Sequence, residues 1–281
     1  IQNPGQATVT VTAHNYLPYS QQIPVIPMEG AYVVKEQVEI NDASGNNNGQ
    51  MDYNESLNLN VTMKNVGLEA ATSVSASLSS DDIYVNITQG EAFFGDIPAE
   101  DMITVDDAFS IEVSADIPDG HYVVFEINAT DGESNWVSGF SLQGHAPVLE
   151  MGEYIINDAG GNGKLDPGES AEVLIPVSNT GSAAAFDVNG LLNSEDDYIS
   201  IQSANQSYGT LEAGIEEIRS YQLTADAACP TGHYADFEFT MTAEAGISAL
   251  DNFNIVIGQI PVVIIDLDDS PTSGPVMQQC I

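Results

Sequence analysis

Basic residues are almost missing from this chain. Four Lys and Arg stand against 42 Asp and Glu in 281 residues, a formal net charge of −38 at pH 7. A phosphate backbone repels such a surface at any salt concentration, which excludes nucleic acid as a main partner. An anionic membrane surface is disfavoured for the same reason. Cysteine is scarce too: Cys229 and Cys280 are too few for a disulfide framework. Trp136 is the single tryptophan, and its counterpart region, Ser248 to Asp251, has none. No apolar run is long enough to span a membrane, so membrane insertion is not expected. The most apolar stretch, Pro261-Val262-Val263-Ile264-Ile265, reads as a strand. No secretory signal is visible, and the chain opens in mid-pattern at Ile1-Gln2-Asn3, as an internal piece of a longer secreted protein would. Helical periodicity is absent throughout.

The acid is spread along the chain and not gathered in a tail, so it reads as a solvated surface. That surface suits a salty or calcium-rich exterior, where counterions offset self-repulsion. Two acidic stretches resemble each other. Ile40 to Glu55 reads Ile-Asn-Asp-Ala-Ser-Gly-Asn-Asn-Asn-Gly-Gln-Met-Asp-Tyr-Asn-Glu, and Ile156 to Glu169 repeats it two residues shorter. Each opens with Ile-Asn-Asp, holds an Asn-Gly turn and closes with Asp-x-x-Glu. Oxygen-bearing side chains at alternate positions around a tight glycine turn are what a hard cation such as Ca2+ needs. On the twelve-residue calcium pattern, Asp158 falls at position 1, Asn162 at 5 and Gly163 at the turn. Lys164 follows at the backbone-carbonyl position, Asp166 at 9 and Glu169 at 12. In the first copy Asn46, Asn48, Gln50 (by its carbonyl), Asp52 and Glu55 take positions 3, 5, 7, 9 and 12 around Gly49. Position 1 there is Ser44, a poor ligand. Two inserted residues push Asp42 outward, from where it can reach back, and the second loop is therefore expected to bind more tightly. Neither copy is flanked by helical sequence, so these are calcium loops between strands and not EF-hands. The competing reading is an Asn/Gly-rich turn that binds nothing.

The likeness extends beyond the loops. Leu57, Leu59, Val61 and Met63 alternate with polar residues before Asn65-Val66-Gly67. Ala171, Val173, Ile175 and Val177 do so before Asn179-Thr180-Gly181, at an offset of 114. Asp81-Asp82-Ile83-Tyr84 answers Asp196-Asp197-Tyr198, and Pro118-Asp119-Gly120-His121-Tyr122 answers Pro230-Thr231-Gly232-His233-Tyr234. Short alternating stretches between Gly, Pro, Asn and Asp turns predict an all-β chain of tandem Ig-like β-sandwiches, with partial strands of flanking domains at both ends. The expected divisions are 1–28, the C-terminal hairpin of a preceding Ig-like domain; 29–147, the first sandwich; 148–259, the second; and 260–281, the start of a following domain or a docking strand.

Val-Thr-Val-Thr-Ala-His-Asn-Tyr-Leu-Pro-Tyr, within 7–27 and followed by Ile-Pro-Val-Ile-Pro, resembles the end of the Ig-like domain that follows the catalytic domain in gingipain-type cysteine peptidases. The repeats are similar to the CARDB-like sandwich modules of large secreted proteins in that group, which bacteria export by the type IX route. This resemblance implies an extracellular or cell-surface, non-catalytic region; the peptidase's catalytic domain is not in this chain. The residues agree with that. Cys229-Pro-Thr-Gly-His233 brings a thiol near an imidazole, but the first repeat has Ile117 in the cysteine's place, and the shared motif reads as a turn entering a strand. His121 and His233 have no second His or Cys at ligand spacing. Paired acids such as Asp106-Asp107 and Asp268-Asp269 read as surface charge. The leading expectation is a calcium-stabilised spacer or stalk that is not an enzyme, with calcium and neighbouring domains or like subunits as partners. The alternatives are a filament or surface-layer subunit joined by strand donation, and a glycan- or protein-binding adhesin module.

Overall fold

Strand β5 (Ser56–Asn65) shows how alternation becomes burial. Leu57, Leu59, Val61 and Met63 all point inward with at most 2% of their surface exposed, and no residue between them is fully buried. A computed structural model describes residues 5–12, 19–25 and 29–258 of the chain. Among these there is no α-helix; a single 3-10 turn, Glu244–Gly246, interrupts an otherwise all-β structure of several sheets.

The first set of strands is β3 (Val33–Asn41), β4 (Met51–Asp52), β5, β6 (Ala71–Ser79), β7 (Val85–Gln89), β8 (Glu91–Ile97), β9 (Met102–Val113), β10 (Tyr122–Thr130) and β11 (Asn135–His145). They form two sheets, ordered β3-β5-β9-β7 and β4-β11-β10-β6-β8. The second set is β12 (Leu149–Met151), β13 (Ile155–Asp158), β14 (Ser170–Asn179), β15 (Ala185–Asn193), β16 (Ile199–Ile201), β17 (Asn205–Leu211), β18 (Glu216–Ala225), β19 (His233–Thr242) and β20 (Ser248–Ile257). Its sheets are β12-β14-β18-β16, with β13 also on β14, and β17-β15-β19-β20. The strand order matches between the sets, except that β4 has no counterpart in the second and β3 is answered there by two strands, β12 and β13. Every described pairing is antiparallel except β4 on β11, which is parallel. We call the two sets the first and second units.

Each unit surrounds its own apolar cluster. Phe109, Phe125, Met51 and Leu59 are among the largest side chains in the first, and Tyr221, Phe239, Leu165 and Ile175 in the second. Burying a side chain of this size stabilises by about 1.5–3 kcal/mol. Ala183 of the second unit joins the first cluster, and Ile247 packs on both, so the units touch. Asp119 fastens that junction: its carboxylate accepts the Ala146 N–H (3.0 Å), the Ser182 N–H (3.2 Å) and the Ser182 hydroxyl.

The turns Asn65-Val-Gly67 and Asn179-Thr-Gly181 do more than reverse the chain. Asn179 is wholly buried. Its Oδ1 accepts the N–H groups of Val148 and Gly181, and its Nδ2 donates to the carbonyls of Ala183 and Leu211. Asn65 repeats this with Tyr32, Gly67, Glu69 and Ile97. Each amide ties the entering segment of its unit to two turns, and its hydrogen-bonding capacity is spent on main chain.

Where a hairpin is expected over 7–27, β1 (Gly5–Val11) pairs with β2 (Tyr19–Val25); the pair joins no other described sheet and leaves Val11 exposed. The strand expected over 260–267 lies outside the described residues.

Candidate metal centre

The first loop leaves β3 and re-enters the fold at β4, whose two residues pair with the end of β11 through Gly144 and His145. The second leaves β13, and Leu165 accepts the Gly258 N–H in the same manner. Gly49 and Gly163 hold the turns at φ +75° and +73°, a region open to glycine at no steric cost.

Both loops are built on one hydrogen-bond frame. In the second, Asp158 accepts the N–H groups of Asn162 (3.2 Å) and Gly163 (2.7 Å). Asn162 Oδ1 accepts the Lys164 N–H, and its Nδ2 donates to Asp166 Oδ2 at 3.0 Å. Glu169 closes the loop by accepting the N–H groups of Gly160 and Asp166. In the first, Asp42 Oδ2 accepts the N–H groups of Asn48 (2.8 Å) and Gly49 (3.0 Å). Asn48 Oδ1 accepts the Gln50 N–H, and Asp52 Oδ2 accepts the amides of Asn46 (2.6 Å) and Asn48 (2.8 Å). Glu55 accepts the Asp52 N–H. Asp42 therefore stands where Asp158 stands, two residues further from the turn in sequence. Ser44 turns away and donates to the Ser56 carbonyl. The expected order of affinity rested on Ser44 as first ligand, and that difference between the loops is gone.

Burial separates the two. Asp42 is 2% and Asp52 5% exposed, whereas Asp158 and Asp166 are half-buried. Among the described residues, Asp52 Oδ1 is the one buried side-chain oxygen or nitrogen without a hydrogen-bond partner. Burial, with the charges of Asp52 and Asp42 added, lifts the Glu55 carboxyl above its ordinary value against the Asp52 N–H bond. In the second loop burial also works upward on Asp158, but the N–H groups of Asn162, Gly163 and Gly161 outweigh it and hold that carboxyl low.

The described ion pairs, His121–Asp82, Arg219–Glu217 and His233–Asp196, all lie away from both loops. No three His, Cys, Asp or Glu side chains among the described residues close to metal-ligating spacing. At the first loop the amide donors of Asn46 and Asn48 occupy the acceptor side of Asp52, and an amide carries an acceptor oxygen half a turn away from that donor. Buried carboxylates lacking a counter-charge are costly. The side-chain donors of both loops are all oxygen, the class that a hard cation takes and a softer metal does not.

The repeated histidines have another role, which sequence reading missed. His121 Nε2 bonds Asp82 Oδ2 at 2.7 Å with Tyr84 edge-on to the ring, and His233 bonds Asp196 at 2.6 Å beside Tyr198. Both halves of each pair recur in the sequence, and that shared recurrence is the available signal. Burial raises the Asp82 and Asp196 carboxyls, but hydrogen bonds from the Tyr84 or Tyr198 N–H and from the imidazole carry them below the ordinary value. A carboxyl with a depressed folded pKa stabilises above the unfolded value, about 4, and loses that contribution as pH falls through its folded value. Asp82→Asn and Asp196→Asn should therefore be less stable than the parent at pH 7, with the difference narrowing at an acid pH well below the unfolded value of about 4. Denaturant midpoints at both pH values measure this; a gap unchanged at low pH contradicts it.

Cys229 is buried, and its thiol is pushed up by burial and by the charges of Asp196 and Asp226. His233 bonds Asp196. Trp136 is 5% exposed and offers no stacking face.

No protein-family model matches the chain, and no curated protein does. Among solved structures it is similar to red sea bream transglutaminase, with 11% identity over 80% of this chain and 31% of that one, at a TM-score of 0.31. It is also similar to Escherichia coli alpha-2-macroglobulin. For the native form the identity is 10% over 86% of this chain and 18% of that one, TM-score 0.30. For the elastase-activated form it is 11% over 91% and 25%, TM-score 0.29. The chain spans less than a third of the length of each of these proteins.

Proposed function

We propose that this chain is a non-catalytic, calcium-stabilised tandem of Ig-like β-sandwiches. It acts as a spacer or accessory region of a larger secreted or cell-surface protein, of the kind found with gingipain-type peptidases. The observation that carries the reading is Asp52: a buried carboxylate with an unpartnered oxygen, beside buried Asp42, in a loop whose hydrogen-bond frame recurs in the second unit. Asp42, Asn46, Asn48, Asp52 and Glu55 with the Gln50 carbonyl, and Asp158, Asn162, Asp166 and Glu169 with the Lys164 carbonyl, are the proposed ligands. The scarcity of basic residues, four in 281, supports an environment that supplies the counter-charge.

Ca2+ at about a hundred times the dissociation constant should add roughly 2.7 kcal/mol per site. Excess chelator should then lower the melting temperature by roughly 10 °C. Asp52→Asn and Asp166→Asn should each remove part of that response. Identical melting in calcium and in chelator contradicts the reading.

The hairpin of β1 and β2, with Val11 exposed, favours one second reading: strand donation to a neighbouring copy. Deleting 1–27 tests it. A parent that grows with concentration and a truncated chain that stays monomeric support donation; two monomers rule it out.

A further inference from the structure

The first loop is placed differently from the second. A cleft of about 460 Å³ lies between it and the second unit, lined on one side by Asn46, Asp52 and Glu55 and on the other by Ala184, Phe186 and Glu244. Tyr53, between Asp52 and Glu55 in sequence, crosses that cleft. It is 8% exposed, and its hydroxyl donates to the Ala184 carbonyl at 3.1 Å. In the second loop this position is Pro167, which lies against Gly258 of its own unit. The first loop thus touches a neighbouring unit through the residue between two proposed ligands, while Pro167 has no hydroxyl to do so.

Charge makes the contact conditional. Glu244 enters the cleft from the second unit and faces a loop that already carries Asp42, Asp52 and Glu55, with none of the described ion pairs to balance them. Like charges facing one another across a cleft oppose docking. A divalent cation bound among Asp42, Asp52 and Glu55 removes that opposition and fixes the backbone on either side of Tyr53.

We propose that the first loop is a calcium-dependent clamp between the units: with the ion bound, Tyr53 and the edge carrying Ala184 and Glu244 dock and the tandem is stiff; without it, that contact opens and the units turn about the Asp119–Ser182 fastening. This rests on the calcium reading above and adds what that site controls. By thermodynamic reciprocity, docking must in turn tighten calcium at the first loop and leave the second unaffected.

Hydrogen exchange on the full chain, paired with calorimetric calcium titration, tests this. In the parent and in Asp166→Asn, calcium should slow exchange of the amides at 183–186 and 244–247 by at least about tenfold, reporting local opening at the junction. Asp52→Asn should lose that protection. Tyr53→Phe keeps every proposed ligand, so it should still bind at the first loop, several-fold more weakly, while losing most of the protection. Should Asp52→Asn fail to fold, Tyr53→Phe carries the test alone. Calcium bound at the first loop with exchange at 183–186 unchanged overturns the clamp and leaves the calcium reading standing. No binding heat at either loop overturns the calcium reading itself. Equal protection in Tyr53→Phe and the parent also overturns the clamp.

Discussion

Asn179→Ala should cost the second unit about 4 kcal/mol. The side chain is fully buried and serves four main-chain groups, the N–H of Val148 and Gly181 and the carbonyls of Ala183 and Leu211. A buried polar group left without a partner costs about 1–3 kcal/mol. Water admitted to the space vacated by the amide recovers part of the sum over four groups. Asn65→Ala should do the same to the first unit. Because each unit has its own apolar cluster, urea unfolding should show one transition moved and the other nearly in place. A shift below about 1 kcal/mol means that the turns hold without the amide.

Gly181→Ala should cost about 3 kcal/mol, at the upper end of what overpacking does. Its φ is not in the left-handed region, so the reason is space. A methyl built there meets the Val148 nitrogen at 2.6 Å, the Pro147 carbonyl carbon at 2.8 Å and the Ala146 carbonyl oxygen closer still. All three are main-chain atoms, which cannot swing aside as a side chain could. Gly163→Ala is the matching control. Nothing lies within 4 Å of its added methyl, but φ is +73°, so only the left-handed penalty of about 1–2 kcal/mol applies. If Gly181→Ala is no worse than Gly163→Ala, the close packing of the Ala146–Val148 segment on that turn is not what holds the unit entrance.

Much of this fold was legible because its signals are local. Period-two alternation in Leu57 to Met63 and in Ala171 to Val177 marks strands by itself, and the repeat doubles every such mark. The loops could be read for the same reason, since their donors lie within a few residues of the Asn-Gly turn. What stayed hidden depends on separation. Asp42 was displaced from its pattern by two residues, and only the backbone path of the loop shows that it returns to Gly49. Asn65 and Asn179 look like any turn asparagine until partners 32 and 33 residues away from the first, and 31 and 32 from the second, are in place. The Asp82–His121 and Asp196–His233 pairs span 39 and 37 residues, and Tyr53 reaches across 131. No periodicity carries information over such gaps. The pairing of β4 with β11 is parallel and two residues long, too short for any alternation to show.

Tyr221 and Tyr208 bear on a hazard of tandem chains, the exchange of equivalent strands between neighbours during folding. At the matching positions the first unit has Phe109 and Phe94, and where the second has Gly190 the first has Ala76. The Tyr221 hydroxyl donates to the Gly190 carbonyl at 3.0 Å and sits where a methyl on Gly190 would lie 2.5 Å away. The Tyr208 hydroxyl donates to the Ile175 carbonyl at 2.9 Å. Burial, against the Tyr208 hydrogen bond and the charge of Arg219, keeps the Tyr221 hydroxyl protonated, its pKa pushed up to about 12. Strand β18 placed in the first unit therefore brings a hydroxyl against the Ala76 methyl. Strand β9 placed in the second leaves an empty space at Gly190. The two cores differ at these paired positions, so exchanging β9 and β18 between the units should cost each of them packing or a buried hydrogen bond.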